Sequence, residues 1–435
     1  MTPVLKIGIA GLGTVGGGVL RLLQAHADLL AQRSGRRIIV AAVSARDRHR
    51  DRGVALDGVR WYDDAVALAA DPEIDVVVEL IGGSDGIAKT VCETAIARGK
   101  HVVTGNKALI AMHGAALAAA AEEAGVSLAF EAAVAGGIPA IKGLREGLAA
   151  NRIDGVFGIL NGTCNYILTE MRTTGREFAE VLAEAQKLGY AEADPSFDVD
   201  GVDAAHKLAV LAALAFNTRV DFADLYVQGI RQVSALDIAY AEELGYRIKL
   251  LGLARRVSKG GAPEGLSLRV HPCMVPATSP IAHVEGVFNA VVAQGDFVGQ
   301  VMMTGRGAGA GPTASAVVAD LIDLARGFKV PTLGAPSARL DRTPAVAMDH
   351  RRGAYYLRLM VVDRPGVIAD VAAAMRDQQI SVESLLQRGR SPGDAVPLVI
   401  ITHETDEASM NRLLSTIASF DAVLEPPHVI RIEDL

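Results

Sequence analysis

From residue 4 the chain alternates continuous apolar runs with Ala- and Leu-rich stretches of helical period. Segments 4–10, 38–43, 76–80, 101–104 and 127–131 are rich in β-branched residues and lack the polar alternation of half-exposed strands, so they read as strands buried on both faces. Helical stretches at 15–31, 63–70, 86–98 and 107–124 lie between them. This order predicts an α/β unit over 1–150, a parallel sheet covered by helices on both faces. The middle, 151–312, is less regular, with a long helical stretch at 201–216, apolar segments and Gly/Pro-rich turns; it reads as α+β. A Gly-rich loop then precedes a helical run at 313–327, which is expected to pack back on the first unit and complete it over about 313–330. A Pro-punctuated linker at 331–352, carrying Pro331, Pro336, Pro344 and the charged pair Arg351 and Arg352, separates this body from the last segment. Over 353–435 the pattern restarts as strand 354–362, helix 366–378, strands 380–388 and 395–402, helix 406–419 and strand 423–432. That order is βαββαβ, the ferredoxin-like split unit.

Composition narrows the function. The 435 residues are 50% hydrophobic and 21% charged, the make-up of a packed globular chain. A net charge of −7 and a pI near 5.8 argue against a nucleic-acid or anionic-membrane partner and for small-molecule chemistry. Cys92, Cys164 and Cys273 are far apart, and the histidines show no metal-ligand spacing, so neither a disulfide framework nor a zinc site is expected. The apolar N-terminal stretch is too short for a signal segment and no run approaches the roughly 18 apolar residues of a membrane span. A cytoplasmic chain with reduced thiols is the expectation.

Gly11-Leu12-Gly13-Thr14-Val15-Gly16 follows the first strand and opens a helix, which is the context that gives GxGxxG its meaning. The first glycine permits a tight turn, the second lets a pyrophosphate approach the backbone, and the third lets the helix pack on the strand. The helix N-terminus adds its positive dipole end, so the unit reads as Rossmann-type and its ligand as NADP or NAD. After the second strand come Arg46, Asp47 and Arg48. The arginines suit the 2′-phosphate of NADP, Asp47 keeps NAD open, and all three are equally residues of a solvated turn.

Residues 188–207 crowd acidic side chains around Ala and Gly: Glu192, Asp194, Asp198, Asp200 and Asp203, followed by Lys207. Asp203 and Lys207 are four apart on a helix and share a face. Leu211 and Leu214 continue that face, so the pair points inward. A lysine drawn out of water beside a carboxylate has its pKa moved toward the working range of acid–base chemistry, although the same spacing also serves an ordinary salt bridge. Lys107 opens a helix, where the dipole disfavours a cation by roughly 0.3–1 kcal/mol, so a purely structural role gains it nothing.

The run Asp194-Pro195, Asp198, Gly201, Asp203, Lys207 resembles the homoserine dehydrogenase signature. Gly105-Asn-Lys107, Glu131-Ala-Ala-Val134-Ala-Gly136-Gly-Ile138-Pro and Gly158-Ile-Leu-Asn161-Gly-Thr163-Cys-Asn-Tyr agree in order, and the likeness spans nearly the whole chain; Cys164 stands where a second threonine is expected. The resemblance implies NAD(P)-dependent hydride transfer between L-homoserine and L-aspartate 4-semialdehyde, within threonine and methionine biosynthesis. It makes Lys207 the proton donor and acceptor, oriented by Asp203, and places Lys107 on the cofactor side. It further implies Glu192 on the substrate ammonium group, with Thr163 and Asp198 as further substrate contacts. It also implies a Na⁺ or K⁺ site on the backbone carbonyls of Glu131, Val134, Gly136 and Ile138. Gly309, in the second Gly-rich loop, is a candidate contact for the nicotinamide half or else a hinge. Thr163 is alternatively a turn cap.

Tyr355-Tyr-Leu-Arg-Leu-Met-Val-Val-Asp363-Arg-Pro-Gly366-Val367 resembles an ACT domain, in which a helix start holds an amino-acid carboxylate. The implied ligand is threonine, with Asp363, Gly366 and Val367 as contacts; a purely dimerising module is the other reading. Relatives pair through such units, so a homodimer or homotetramer is expected. Two rivals stand beside this reading. Aspartate semialdehyde dehydrogenase requires an activated cysteine, for which no residue here has a convincing setting. A non-catalytic amino-acid sensor on a nucleotide-binding scaffold would have no use for Lys107, Glu192, Asp203 and Lys207.

Overall fold

The computed structural model describes residues 3–257, 265–388 and 394–435. The first sheet contains β1 (Val4–Ala10), β2 (Arg37–Ser44), β3 (Arg60–Tyr62), β4 (Val76–Glu79), β5 (His101–Thr104) and β6 (Leu128–Ala129), in the order β3-β2-β1-β4-β5-β6. Every pairing is parallel. This doubly wound order reverses direction between β1 and β4, and ligands bind outside the carboxyl ends of strands at such a switch point. Val76–Glu79 is wholly buried, as a strand covered on both faces must be.

Three local expectations are corrected. The stretch 15–31 is two helices, Thr14–Ala25 and Ala27–Ser34, separated at His26. The fifth expected strand shrinks to Leu128–Ala129, and Glu131 opens a 3₁₀ turn instead of ending a strand. A sixth strand, Arg60–Tyr62, lies at the sheet edge where none was expected.

A second sheet, of ten strands, begins with β7 (Ile153–Ile159), β8 (Tyr226–Val227), β9 (Tyr246–Val257), β10 (Gly265–Pro276), β11 (Phe288–Gly295) and β12 (Gly299–Arg306). The C-terminal segment supplies β14 (Tyr355–Val362), β15 (Val382–Gln387), β16 (Ala395–Thr402) and β18 (His428–Ile432); β13 (Arg352–Gly353) and β17 (Thr405–Asp406) form a separate ribbon. The order β18-β14-β16-β15 is that of the split βαββαβ unit. It does not stand apart: β18 also pairs in parallel with β10, Cys273 opposite Arg431 and Met274 opposite Ile432, so the two sheets are one. The Pro-rich segment before it is no free linker either. Thr218 bridges to Asp341, the Leu266 N–H donates to the Pro344 carbonyl at 2.9 Å, and Leu333 and Leu340 are buried.

The helix Val202–Phe216 is buried on every side from Asp203 onward. It packs against the helix Lys107–Glu123 on one side and against β7 and β9 on the other, so it carries its charged residues into the seam between the two sheets. Among the described residues no helix is long and apolar enough to cross a membrane.

Candidate active site

β7 ends in Leu160 and Asn161, and Asn161 caps the helix Gly162–Thr174 by accepting the Cys164 N–H at 2.8 Å. That leaves its amide nitrogen to donate to Asp198 Oδ1 at 2.7 Å and Asp203 Oδ2 at 2.8 Å. Lys207, one turn beyond Asp203, donates to Asp203 Oδ2 and to the Leu160 carbonyl, both at 2.7 Å. Lys107 arrives from the other sheet: it is the first residue of the helix Lys107–Glu123, and its Nζ lies 2.5 Å from Asp203 Oδ1. One carboxylate therefore holds two ammonium groups, each on its own oxygen. The Lys107 side chain is 34% exposed and lies 5.3 Å from the Phe197 ring centroid, whereas Lys207 is at the closed end of the site.

Burial alone would push the Asp203 carboxyl up, but Lys207 and Lys107 outweigh it and hold the group well below the usual carboxylate range. For Lys207 burial is the largest influence and lowers its pKa, with Asp203 opposing and Lys107 assisting. Burial likewise raises Asp198, helped by the charge on Asp203. The result is a carboxylate held low, a buried amine facing it whose pKa is lowered, and a neighbouring carboxyl whose pKa is raised.

The other expected residues separate. Glu192 is exposed, and its carboxylate has no partner among the described residues. The Thr163 hydroxyl donates to the Tyr190 carbonyl at 2.8 Å, tying the helix start to the loop before Asp194 rather than capping its own turn. Asp194 accepts the Ser196 N–H, and Asp200 pairs with Arg231. Cys164 joins the site by donating its thiol to the Asp198 carbonyl at 3.2 Å. Asn161 and the Leu160 carbonyl were not singled out in advance; the only signal was an asparagine directly before the Gly-Thr helix start.

On the nucleotide side, Gly11 has φ 103° and a Cβ there would lie 2.5 Å from the Leu80 carbonyl, so only glycine makes this turn. A Cβ at Gly13 would meet nothing, and the helix start behind it carries no side-chain cap, leaving its N–H groups for an anion. Gly16 serves the turn itself, its Cα facing the Gly11 carbonyl; close helix packing falls instead to Gly18, against Ala310 and Ala314 of the helix Ala310–Arg326. A cleft of about 430 Å³ runs from Gly11, Leu12 and Gly13 past Ala45 to Arg46, Asp47, Arg50 and Arg52. Asp47 Oδ1 is engaged by the His49 and Arg50 N–H groups of its own turn. Asn106 ties the start of the Lys107 helix to the Gly83 carbonyl at 2.7 Å, joining the loops that follow β4 and β5. These features suit a dinucleotide.

The turn 131–138 is buried except at Gly137 and holds Ala135 and Gly136 in left-handed backbone. It packs on the second Gly-rich loop: the Gly137 N–H donates to the Arg306 carbonyl at 3.1 Å, and a Cβ on Gly136 would meet the Gly307 carbonyl at 2.5 Å. Gly309 starts the helix Ala310–Arg326 at φ 113°.

Comparison with known proteins decides the family. The model of the homoserine dehydrogenase NAD-binding domain matches residues 11–131, that of homoserine dehydrogenase matches 139–322 and that of the ACT domain matches 355–421. A homoserine dehydrogenase of Pseudomonas aeruginosa is 48% identical over the full length of both chains. The chain belongs to the homoserine dehydrogenase family. A crystal structure of a homoserine dehydrogenase from Thiobacillus denitrificans, 47% identical, superposes over both full chains with a TM-score of 0.93. A hyperthermophilic archaeal homoserine dehydrogenase in complex with NADPH, 26% identical, covers 75% of this chain with a TM-score of 0.63. The enzyme thus takes a nicotinamide cofactor and interconverts homoserine and aspartate 4-semialdehyde.

The rival thioester chemistry fails on its own terms as well. Cys92, Cys164 and Cys273 are all buried, and burial pushes each thiol above its usual range, the opposite of an activated nucleophile. In the ACT unit, Gly366 at φ 98° starts the helix Val367–Asp377 without a side-chain cap, and the Asp363 N–H donates to the Asp394 carbonyl.

Proposed function

We propose that Lys207 takes the hydroxyl proton of homoserine during oxidation and returns it during reduction of the aldehyde, with Asp203 fixing its ammonium group. Bound in the glycine-turn crevice, the nicotinamide cofactor supplies the hydride chemistry. The observation that carries this reading is the shared carboxylate: Asp203 joins a buried, pKa-lowered amine to Lys107, the first residue of the helix that follows β5 at the carboxyl end of the first sheet. A buried lysine with a lowered pKa is charged or neutral according to its surroundings, which a proton shuttle requires and a structural cation does not. Lys107 completes the charge balance, so Asp203 remains an anion when Lys207 gives up its proton. Glu192, on the loop, and Thr163, at the helix start that its hydroxyl ties to that loop, receive the substrate ammonium and hydroxyl side, and Asp198 accepts from Asn161 beside them. In Lys207→Met, kcat should fall by about 10²–10⁴, the range of general acid–base catalysis, with cofactor binding retained. A folded variant with near-normal kcat would discard the assignment.

Cofactor choice follows from the same cleft. With Asp47 occupied by its own turn and Arg46, Arg50 and Arg52 along one wall, we infer NADP rather than NAD. Arg46→Ala should raise KM for NADPH and spare NADH; an unchanged preference refutes Arg46. We further propose that the carbonyls of Glu131, Val134, Gly136 and Ile138 hold Na⁺ or K⁺, since left-handed Ala135 and Gly136 turn consecutive peptides in a buried bend. Activity indifferent to both cations would remove that site. The uncapped helix start at Gly366 and Val367, beside Asp363, is proposed to take the carboxylate of threonine in a cytoplasmic dimer or tetramer. Calorimetry showing no heat with threonine counts against it.

A further inference from the structure

β11 is the strand between β7 and β12, antiparallel to both, and its first residues stand where the two neighbours leave the sheet. On one side β7 runs out into Leu160, Asn161 and Gly162, the turn that holds Lys207 and Asp203. On the other, β12 runs out into Gly307, Ala308 and Gly309, the turn that starts the helix packed on the glycine-turn helix. Asn289 fills this fork. It lies opposite Gly305 in the ladder and is 1% exposed.

Its carboxamide is wedged between the two departing turns. A Cβ on Gly307 would fall 2.1 Å from Asn289 Cγ, so glycine there makes room for the amide, and one on Gly162 would meet the Val287 carbonyl at 2.9 Å and Asn289 Oδ1 at 3.3 Å. Yet neither Nδ2 nor Oδ1 of Asn289 has a hydrogen-bond partner among the described residues. An unmatched buried amide is costly, and an apolar side chain of the same shape would satisfy the packing without that penalty. Packing therefore explains the size of this residue and not its polarity.

We propose that Asn289 is a positioning residue for hydride transfer: its carboxamide sets the separation of the Asn161–Gly162 and Gly307–Gly309 turns, and its unmatched groups find their partners when those turns hold their ligands. Hydride transfer is steep in the distance between reacting atoms, so a wall that fixes the two turns acts on kcat more than on binding. The inference rests on the proposed roles of these turns, which Lys207→Met tests separately.

The experiment is Asn289→Leu, close in shape and without polar atoms. Its thermal midpoint should equal or exceed that of the wild type, its Kd for NADPH by fluorescence titration should rise measurably, and kcat should fall tenfold or more. The primary isotope effect with homoserine deuterated at C4 should increase, because the hydride step then limits turnover. A kcat within twofold of the wild type overturns the proposal. So does a midpoint that falls while kcat per folded molecule is kept, since that marks an ordinary structural amide. Should the branched side chain prevent folding, Asn289→Ala carries the same criterion: kcat per folded molecule within twofold of the wild type overturns it.

Discussion

Asp203 and Asp237 are both withdrawn from water, with side chains 3% and 0% exposed, and both hold basic groups from distant segments. Asp203 takes Lys207 and Lys107; Asp237 takes Arg358 Nε at 2.6 Å, the Tyr356 hydroxyl at 3.0 Å and His428 Nδ1 at 3.0 Å. In each case burial works to raise the carboxyl, and the partners outweigh it and hold the group low. The two centres differ in the cation. An arginine stays charged at any working pH and its planar fork is suited to locking surfaces together, whereas a buried lysine can give up its proton. They also differ in place: Asp237 sits in the helix Ala235–Glu243 and binds strands β14 and β18 of the ACT unit, while Asp203 lies on the helix Val202–Phe216 and binds the half-exposed Lys107 that follows β5 of the first sheet. Similar electrostatics thus makes a fastening in one place and serves the proposed acid–base site in the other.

The strongest way to break this comparison is to give the reaction centre the fastening's cation. Lys207→Arg keeps the charge and a partner for Asp203 but cannot exchange a proton, so kcat should fall by about 10²–10⁴ in a folded enzyme. A variant with more than half of the normal turnover would mean that charge alone suffices. Removing the other carboxylate should have the converse effect. Asp237→Ala leaves the half-buried Arg358 and the buried Tyr356 hydroxyl without their shared partner, which should cost about 3–5 kcal/mol in denaturant unfolding, with kcat per folded molecule little changed.

Acid sharpens the same contrast. A carboxyl held low in the folded chain stabilises it at pH values above the unfolded carboxylate pKa of about 4, and that contribution fades as pH falls through and below this value. The stability gap between wild type and Asp237→Ala should therefore narrow as pH falls below about 4. A gap independent of pH would show that packing, not charge, is what Asp237 contributes. The smallest effect is expected for Arg358→Lys, which keeps the charge and loses the fork, at about 1.5–3 kcal/mol of stability with no change in turnover.

The reaction centre was far more legible than the fastening. Asp203 and Lys207 are one helical turn apart, so periodicity alone brought them together, and the Gly11–Gly16 turn lay where strand passes to helix. The contact between Lys107 and Asp203 joins segments 96 positions apart in the chain, for which local pattern carries no signal. Asp237, Arg358 and His428 are likewise brought together from segments that local pattern does not connect. Arg351 stood in an apparent linker and Arg431 in an ordinary edge strand, yet both are buried and paired, with Glu433 and Glu407 respectively. Their partners exist only because β18 completes the joint with β10. The missed strand Arg60–Tyr62 has three residues and no apolar run, and the break at His26 has neither glycine nor proline to announce it.

The central claim is that Lys207 is the titrating group of the reaction, and the pH profile of kcat/KM for homoserine oxidation tests it most directly. Oxidation needs the neutral amine, and burial lowers the Lys207 pKa. The rate should therefore climb with pH to a plateau whose midpoint lies below about 10.4, the value for a solvated lysine, and Lys207→Met should leave a slow rate without that limb. The same rising limb, at the same midpoint, in Lys207→Met would contradict the account.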